Sequence, residues 1–404
     1  MGNKKFEVRF EFVALMASMM SIVALAIDAI LPALSVIGEA VGSLSPADNQ
    51  LFIIMIFLGM GAGQLVFGPL SDSYGRKPMV YIGFALFFIA SMVCIYAPSY
   101  EWMVIGRLFQ GVGLSAARTI SISIIRDSYK GDYMAKIMSF VMVIFILVPV
   151  IAPMLGKWIL NFYNWQAIFY FQLIFGAIVM IWFGIRQEET LKVENKKSFM
   201  ITLFFEGVKE LFKFKETLIF TIISAFITGA FMVYLSASQH IFETQYGMAD
   251  EFPYIFAGLA LTIGGATFLN GSLVMKLGMR KLVFFALIGY CTISLVYVVL
   301  FWSTPNPSIT VLMIFMGLQF IAIGFMFGNT SAIAMEPIGH IAGIGAAIIG
   351  FFSTLLAVPI AMLIGQFVGD TVLPMFIGFS GCGIISLLLF LFTKKKLKPA
   401  PQQD

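Results

Sequence analysis

The chain has 404 residues, of which 60% are hydrophobic and 11% are charged. Its mean hydropathy is +0.96 and its formal net charge is +4. Soluble globular proteins carry roughly 25% charged residues, so this composition excludes an ordinary soluble enzyme, a nucleic-acid-binding protein and a disordered chain. It is typical of a polytopic helical membrane protein, in which each spanning helix takes up about 20 apolar residues.

Twelve apolar segments separated by short polar breaks predict twelve transmembrane helices, called spans 1 to 12. The first segment follows Lys4, Lys5 and Arg9, as the apolar part of a signal peptide would. However, it is too long for a signal peptide and contains Asp28, so we interpret it as span 1. The predicted spans are 12–36, 50–71, 78–97, 100–125, 133–160, 166–186, 215–240, 252–275, 281–302, 307–331, 340–367 and 370–392.

The basic residues lie mainly on one side of the predicted membrane. All but three of the 25 Lys and Arg residues fall on the side of the two termini. The exceptions are Lys157, beside a loop on the other side, and Arg107 and Arg118 within span 4. Loops on cytoplasmic sides of membranes are enriched in Lys and Arg. We therefore expect an inner (cytoplasmic) membrane protein with both termini in the cytoplasm.

The twelve spans divide six and six at the longest hydrophilic connector. The pattern Gly68-x-Leu70…Gly75 after span 2 recurs as Gly271-x-Leu273…Gly278 after span 8, each position displaced by 203 residues. We predict an N-terminal six-helix bundle over 1–186, a cytoplasmic linker over 187–214 and a C-terminal bundle over 215–404 with a basic cytoplasmic tail. In duplicated transporters of this kind, the binding site lies near the membrane midplane between the repeats.

Two segments resemble signatures of the major facilitator superfamily. Residues 68–78 (Gly-Pro-Leu-Ser-Asp-Ser-Tyr-Gly-Arg-Lys-Pro) resemble its helix 2–3 loop, and residues 107–113 (Arg-Leu-Phe-Gln-Gly-Val-Gly) resemble its helix 4 motif. Further matches are similar to the bicyclomycin-resistance (Bcr/CflA) branch of the drug:proton antiporters: Asp28 with Leu31-Pro32-Ala33-Leu34, Arg126-Asp127, Pro149 with Pro153-Met154-Leu155-Gly156, and Trp165-Gln166-Ala167-Ile168-Phe169. The resemblance implies an all-α fold of two pseudo-symmetric six-helix bundles, with proton-coupled export of drugs. Two positions depart from the pattern: Ile30 stands where the branch usually has an aromatic residue, and Met275 stands at the repeat position of Asp72.

Asp28 is the one acidic residue deep within a predicted span. An ionised carboxylate there is costly, so it should be paired, protonated or facing a cavity. We expect it to carry protons, with Arg107 at similar depth in span 4 as its electrostatic partner, and the resemblance points the same way. The alternatives are a structural ion pair between spans 1 and 4 and a static Arg107 bound to helix carbonyls.

Arg118 follows Arg107 by eleven residues, which places both on one face of a helix, about 16 Å apart. We expect this face to line a substrate cavity, unless Arg118 extends to the cytoplasmic surface. Polar residues elsewhere in the spans are further candidates for the cavity, although each is also suited to hydrogen bonding between helices. With Arg118, the predicted cavity residues are Gln110, Ser121, Tyr234, Gln239, Asn270, Gln319 and Asn329.

The loop after span 2 and the prolines of span 5 are expected to form gating elements. Asp72 is predicted to lie at the start of span 11, where a helix N-terminus favours an anion, and Arg76 is predicted to lie near Asp127. Two prolines four residues apart favour a bend, although a plain helix irregularity fits the same pattern. The predicted gating residues are Gly68, Asp72, Gly75, Arg76, Asp127, Pro149, Pro153 and Gly156.

These observations favour a secondary antiporter that exports small amphipathic compounds, neutral or anionic, in exchange for protons. The chain contains no Gly-x-x-x-x-Gly-Lys-Ser/Thr nucleotide-binding motif, so we expect transport to be driven by gradients. The alternative within the same fold is a proton symporter that takes up a small organic anion; a membrane receptor or a lipid enzyme is a further possibility. We expect no enzyme activity, cofactor, metal or nucleic-acid partner, and we expect a monomer in the bilayer.

Overall fold

The computed structural model describes residues 10–192, 194, 196 and 201–393. The predicted basic tail after span 12 lies outside these residues. Within them, twelve helices are long and apolar enough to cross a membrane, which confirms the predicted all-α fold of twelve transmembrane helices.

Fourteen α-helices are present in the described part of the chain. Eleven of the predicted spans are single helices, span 1 is divided between α1 and α2, and α8 lies in the connector. The helices are α1 (Phe10–Asp28), α2 (Leu34–Val41), α3 (Pro46–Tyr74), α4 (Arg76–Ile95), α5 (Tyr100–Ser128), α6 (Gly131–Phe162), α7 (Gln166–Arg186), α8 (Ile201–Lys213), α9 (Lys215–Gln239), α10 (Phe252–Leu277), α11 (Met279–Phe301), α12 (Ile309–Met335), α13 (Ala342–Gly365) and α14 (Leu373–Leu391).

Span 1 is broken, whereas the sequence analysis predicts one continuous helix. The α-helix ends at Asp28, a short 3-10 turn covers Leu31–Ala33, and α2 begins at Leu34. Pro32 has no N–H, and its ring would clash with the carbonyl of the residue four positions earlier, which is Asp28. The proline therefore ends the regular helix at the buried acidic residue.

The chain forms two compact units. The first comprises residues 1–42 and 55–199, and the second comprises residues 43–54 and 200–404. The boundary in the connector lies within the predicted linker, but the beginning of α3 belongs to the second unit. There the Gln50 amide donates to the carbonyl of Gly365 at 3.2 Å and accepts a hydrogen bond from Ser236 at 3.3 Å.

Helices within the first unit approach closely at glycines. A Cβ atom at Gly113 would lie 2.6 Å from the carbonyl oxygen of Gly83, so α4 and α5 pack backbone against backbone. Such contacts between small residues hold helices together in membranes, where the hydrophobic effect gives no preference for helix over lipid. Gly156 of α6 makes a still closer contact, since a Cβ there would overlap the carbonyl of Ala29. α6 itself runs without interruption through Pro149 and Pro153.

We expect Gly156→Ala to lower the thermal unfolding midpoint of the purified protein, because overpacking typically costs about 1–3 kcal/mol. Gly289→Ala is the matched control, since Gly289 lies within α11 with no atom within 4 Å of an added Cβ. At this position alanine favours the helix by about 1 kcal/mol over glycine, so the unfolding midpoint of Gly289→Ala should stay the same or rise. Equal midpoints for the two variants would contradict the close contact between α6 and Ala29.

Candidate functional site

Asp28 is the last residue of α1 and lies inside the first unit. Its side chain is 4% exposed, and Ile27, Ala29 and Ile30 around it are buried as well. Within the described part of the chain, no ion pair or hydrogen bond to the Asp28 carboxyl group is recorded. An ionised carboxylate without a partner is strongly disfavoured in such surroundings. This environment therefore favours the protonated form.

Arg107 is a fully buried residue of α5, and it contacts the last turn of α1, which ends at Asp28. Its Nη2 donates to the backbone carbonyl of Ala26 at 3.0 Å, and its Nη1 donates to Oε1 of Gln110 at 2.8 Å. The guanidinium also lies over the ring of Phe169, 6.0 Å from its centroid. The sequence analysis predicts an electrostatic pair with Asp28, but the structure places the guanidinium on a carbonyl two residues away. The two side chains therefore form no ion pair.

Gln110 is itself held by the neighbouring helix α4. Its Nε2 donates to Oγ of Ser91 at 2.7 Å, and Ser91 donates to the carbonyl of Phe87, also at 2.7 Å. Both polar side chains are fully buried. A chain of hydrogen bonds therefore connects α4 to the guanidinium of Arg107.

Arg118 is exposed and lies on the same face of α5 as Arg107. Trp102, Ile105 and Phe109 are exposed too, but they lie roughly 160–220° away around the helix at 100° per residue. Exposed apolar side chains on a transmembrane helix face lipid, so Arg118 points away from the lipid side. No ion pair or hydrogen bond of Arg118 is recorded among the described residues. The first unit thus presents an unpaired guanidinium on its non-lipid face.

Most other predicted cavity residues are buried within their own unit. Ser121 donates to the carbonyl of Ala117 at 2.6 Å, Tyr234 packs in a T-shaped contact on Phe320 with centroids 4.5 Å apart, and Gln239 donates to Glu243. The residues with at most 4% exposure are Gln110, Ser121, Tyr234, Gln239, Gln319 and Asn329. Of these side chains, Gln110 and Asn329 hydrogen-bond to a residue of a neighbouring helix.

Asn270 is half-buried and forms a reciprocal amide pair with Asn329. The Asn329 Nδ2 donates to Oδ1 of Asn270 at 2.7 Å, and the return contact is 3.4 Å. Asn270 and Arg118 are therefore the members of the predicted cavity set that retain exposure.

The loop after α3 surrounds one buried arginine. Arg76 is 3% exposed and donates to Asp72 at 2.5 Å, to Asp127 at 2.9 Å and to Ser71 at 2.7 Å. The structure thus places Arg76 beside Asp127, at the end of α5, as the sequence suggests. Asp72 binds Arg76 within the first unit, and its predicted position at the start of span 11 stays a prediction. Gly68, Gly75 and the two aspartates form one cluster around the start of α4.

Glu189, in the connector, completes this cluster and was not predicted from the sequence. Its carboxylate accepts hydrogen bonds from the backbone N–H groups of Arg76 and Lys77, each at 3.0 Å, and of Leu191 at 2.9 Å. Burial raises the pKa of the Glu189 carboxyl group, but these backbone donors outweigh it and hold the pKa below its ordinary value. The 113 residues between Glu189 and Arg76 explain why no local pattern reveals the contact.

Gly75 makes room for that carboxylate. Its φ is +114°, and an added Cβ would lie 2.7 Å from Oε2 of Glu189. Its repeat counterpart Gly278 has a φ of +81° and no atom within 4 Å of an added Cβ. Both loops therefore need glycine because the backbone has a positive φ there. In the first half alone, glycine is also needed because a side chain would collide with Glu189.

The second unit has its own ionic cluster at the start of α11. Arg280 forms ion pairs with Glu216 and, at 3.7 Å, with Glu336, and it lies over the ring of Phe220 at 5.6 Å. This cluster was not predicted from the sequence either, although the repeat points to its arginine. Displaced by 203 residues, Arg280 corresponds to Lys77, the neighbour of Arg76.

Comparisons with known proteins agree with this architecture. The family model of the Major Facilitator Superfamily matches residues 14–361. The chain belongs to the major facilitator superfamily. It is therefore a multi-pass membrane transporter and not an enzyme.

Its relatives include proteins named for drug resistance. A bicyclomycin resistance protein homolog of Haemophilus influenzae is 28% identical over 376 residues, covering 88% of this chain and 89% of the relative. The multidrug resistance protein MdtL of Escherichia coli O157:H7 is 27% identical over 369 residues, covering 86% and 88%. Among solved structures, the xylose transporter XylE of E. coli in a partially occluded inward-open conformation matches with a TM-score of 0.71 at 14% identity, covering 98% and 99%.

We expect Gly75→Ala to lower the thermal unfolding midpoint more than Gly278→Ala. Both variants force alanine into a positive-φ conformation, which costs about 1–2 kcal/mol, but the first also displaces the Glu189 carboxylate. Removing that carboxylate with Glu189→Ala should abolish part of the extra cost, as a double-mutant cycle measures. Additive effects of Gly75→Ala and Glu189→Ala would show that the carboxylate and the glycine are not coupled.

Proposed function

We propose that the chain is a proton-coupled antiporter that exports small amphipathic compounds, with a preference for neutral and anionic ones. The observation that carries the proposal is the buried Asp28, which ends α1 two residues after the carbonyl that Arg107 binds and forms no ion pair with Arg107. A group of this kind exchanges a proton when its environment changes, because burial favours the neutral form and an approaching cation favours the ion.

The names of the relatives support the direction of transport. Drug resistance conferred by a transporter requires export, and two relatives that match most of this chain are named for bicyclomycin and multidrug resistance. The potential across a membrane is worth about 2.3 kcal/mol per charge per 100 mV. A proton that enters through Asp28 therefore supplies enough energy to drive uphill export.

The exposed Arg118 supports the proposed selectivity. An unpaired guanidinium on the non-lipid face repels a permanently cationic compound, because like charges interact strongly away from bulk water. The same group donates hydrogen bonds to carbonyl, nitro, hydroxyl or acid groups. Asn270, half-buried in the second unit, adds amide hydrogen-bonding capacity without charge.

We further propose that both termini lie in the cytoplasm and that the protein acts as a monomer in the inner membrane. The distribution of Lys and Arg supports this orientation. Exposed aromatic residues at the opposite ends of the spans suit a membrane–water interface, where Trp and Tyr are enriched. They include Tyr96, Trp102, Tyr163, Tyr254 and Trp302.

The uptake of a small organic anion together with protons is the second candidate, and the cationic Arg118 fits it as well. The two candidate functions differ in the direction in which a pH gradient drives the substrate. An antiporter accumulates substrate in inside-out vesicles whose lumen is acidic, whereas a symporter empties such vesicles of the same compound.

Asp28→Asn should abolish accumulation driven by a pH gradient, because an amide cannot bind the transported proton. The assay uses bicyclomycin and a set of neutral and anionic compounds in inside-out vesicles. Glu39→Gln is the matched control, since Glu39 is exposed on α2, and it should accumulate substrate like the unmodified protein. Accumulation by Asp28→Asn that still follows the pH gradient would assign the proton to another group.

Arg118→Ala should reduce transport of anionic compounds such as carboxyfluorescein several-fold and should leave neutral compounds less affected. Arg126→Ala, eight residues further along the same helix at its C-terminal end and also exposed, is the charge-matched control and should not change this ratio. Transport of the permanent cation ethidium by the unmodified protein, unchanged in Arg118→Ala, would overturn the proposed selectivity.

A further inference from the structure

A row of aromatic rings in the second unit has no role yet in the proposed mechanism. Tyr234 stacks on Phe256, with the ring centroids 5.8 Å apart and an angle of 15° between the planes. Tyr234 also stacks on Phe231, at 6.2 Å and 29°. Tyr234 and Phe256 are each 2% exposed, whereas Phe231 is half-buried. The row therefore includes one ring that remains partly accessible.

Two rings of α12 stand edge-on to this row. Phe320 is fully buried and contacts Tyr234 at 4.5 Å and 75°, and Phe231 at 6.1 Å and 76°. Phe327 is half-buried, like Phe231, and the two ring centroids are 5.4 Å apart with an angle of 81° between the planes. The two partly accessible rings therefore form a corner in which their planes are nearly perpendicular.

The helix that carries Phe231 does not present an apolar surface to lipid. The helical segment Lys215–Gln245, which contains α9, is long and apolar enough to cross the membrane, and none of its large apolar side chains is exposed. By contrast, α12 exposes Ile314 and Leu318, as a lipid-facing helix does. The accessible part of Phe231 therefore points away from lipid. Phe231 lies sixteen residues after the first residue of this segment and fourteen before its last, which places it near the middle of the membrane.

The internal repeat gives Phe231 a counterpart in the first half. The last residues of α3 and α10 are 203 residues apart, and so are the first residues of α4 and α11. The same displacement relates Asp28 to Phe231. Substrate and coupling-ion sites of duplicated transporters lie near the membrane midplane. The position that holds the buried acid in the first half therefore holds an aromatic ring in the second.

We propose that Phe231 and Phe327 form a substrate subsite that binds a flat aromatic group, so that the protein favours compounds that carry such a group. This inference deepens the proposed export of small amphipathic compounds and rests on it. A flat ring that lies along Phe231 is stacked on that ring and perpendicular to Phe327. Stacked and perpendicular arrangements are the two favoured geometries of aromatic pairs. A saturated ring system buries apolar area as well but has no ring quadrupole, so the corner distinguishes the two.

The test compares the binding of two acids with the same carbon skeleton, 2-naphthoate and decahydro-2-naphthoate. Both carry one carboxylate, so the ratio of their affinities removes the contribution of charge. The full-length protein in lipid nanodiscs is titrated with each acid at one pH and without a gradient. Phe231→Leu should weaken the binding of the aromatic acid relative to the saturated one about twofold to tenfold, which is the range expected for one aromatic pair.

Three further variants complete the comparison. Phe231→Tyr keeps the ring and should keep the affinity ratio of the unmodified protein. Phe327→Leu should change the ratio in the same direction as Phe231→Leu, and it replaces that variant if Phe231→Leu does not fold. Phe226→Leu is the matched control, because Phe226 is half-buried on the same helix but lies roughly 140° around it from Phe231. This control should leave the ratio unchanged.

Three results would overturn the proposal. They are an unchanged ratio in Phe231→Leu (or in Phe327→Leu, where the first variant does not fold), an equal change in Phe226→Leu, and an absence of 2-naphthoate binding by the unmodified protein. Because the titration needs no pH gradient, it separates this inference from the proposed export. A changed ratio in Phe231→Leu, together with pH-driven accumulation by Asp28→Asn, would contradict the proposed function alone.

Discussion

The central constraint in this protein is the presence of a carboxyl group and a guanidinium in one apolar interior without an ion pair between them. Asp28, the last residue of α1, is 4% exposed. Arg107 is fully buried and donates to the carbonyl of Ala26, two residues before Asp28. A direct pair would neutralise both charges and fix the acid in its ionised form. Because the cation is bound to a carbonyl and an amide instead, no direct pair holds the acid in its ionised form.

The local structure of span 1 makes this arrangement possible. Pro32 ends the helix at Asp28, so the acid stands at a break where the backbone departs from the regular helix. Gly156 brings α6 against the backbone of Ala29, the residue that follows the acid. The break and the close contact place Asp28 in packed protein, where a change in the position of a neighbouring helix alters its environment.

The two halves share a fold but differ in their charged groups. The first half has Arg76 between two aspartates, whereas the second half has Met279 at the matching position, 203 residues further along the chain. The second half keeps one ionic cluster, around Arg280, at the start of α11. The proposed proton chemistry therefore lies in the first half, which holds the buried Asp28 and Arg107.

The sequence predicts much of this arrangement, and physical reasons explain the remainder. Hydropathy gives all twelve spans, because each must fill the membrane with apolar residues. The repeat and the loop motif point to Arg76 and Asp127, which the structure places 2.9 Å apart. The break after Asp28 is predictable from the sequence, because Pro32 interrupts a regular helix at this point. The contact of Arg107 with a carbonyl and the capping of α4 by Glu189 depend on tertiary packing, which no local pattern encodes.

Proton release upon ligand binding tests the central claim most directly. The purified protein is mixed with a transported compound in weakly buffered detergent solution that contains a pH-sensitive dye. If Asp28 is protonated in the resting protein and loses its proton when substrate binds, the unmodified protein releases close to one proton per bound molecule and Asp28→Asn releases none. Equal release by the two proteins, with equal binding of the compound, would contradict the account.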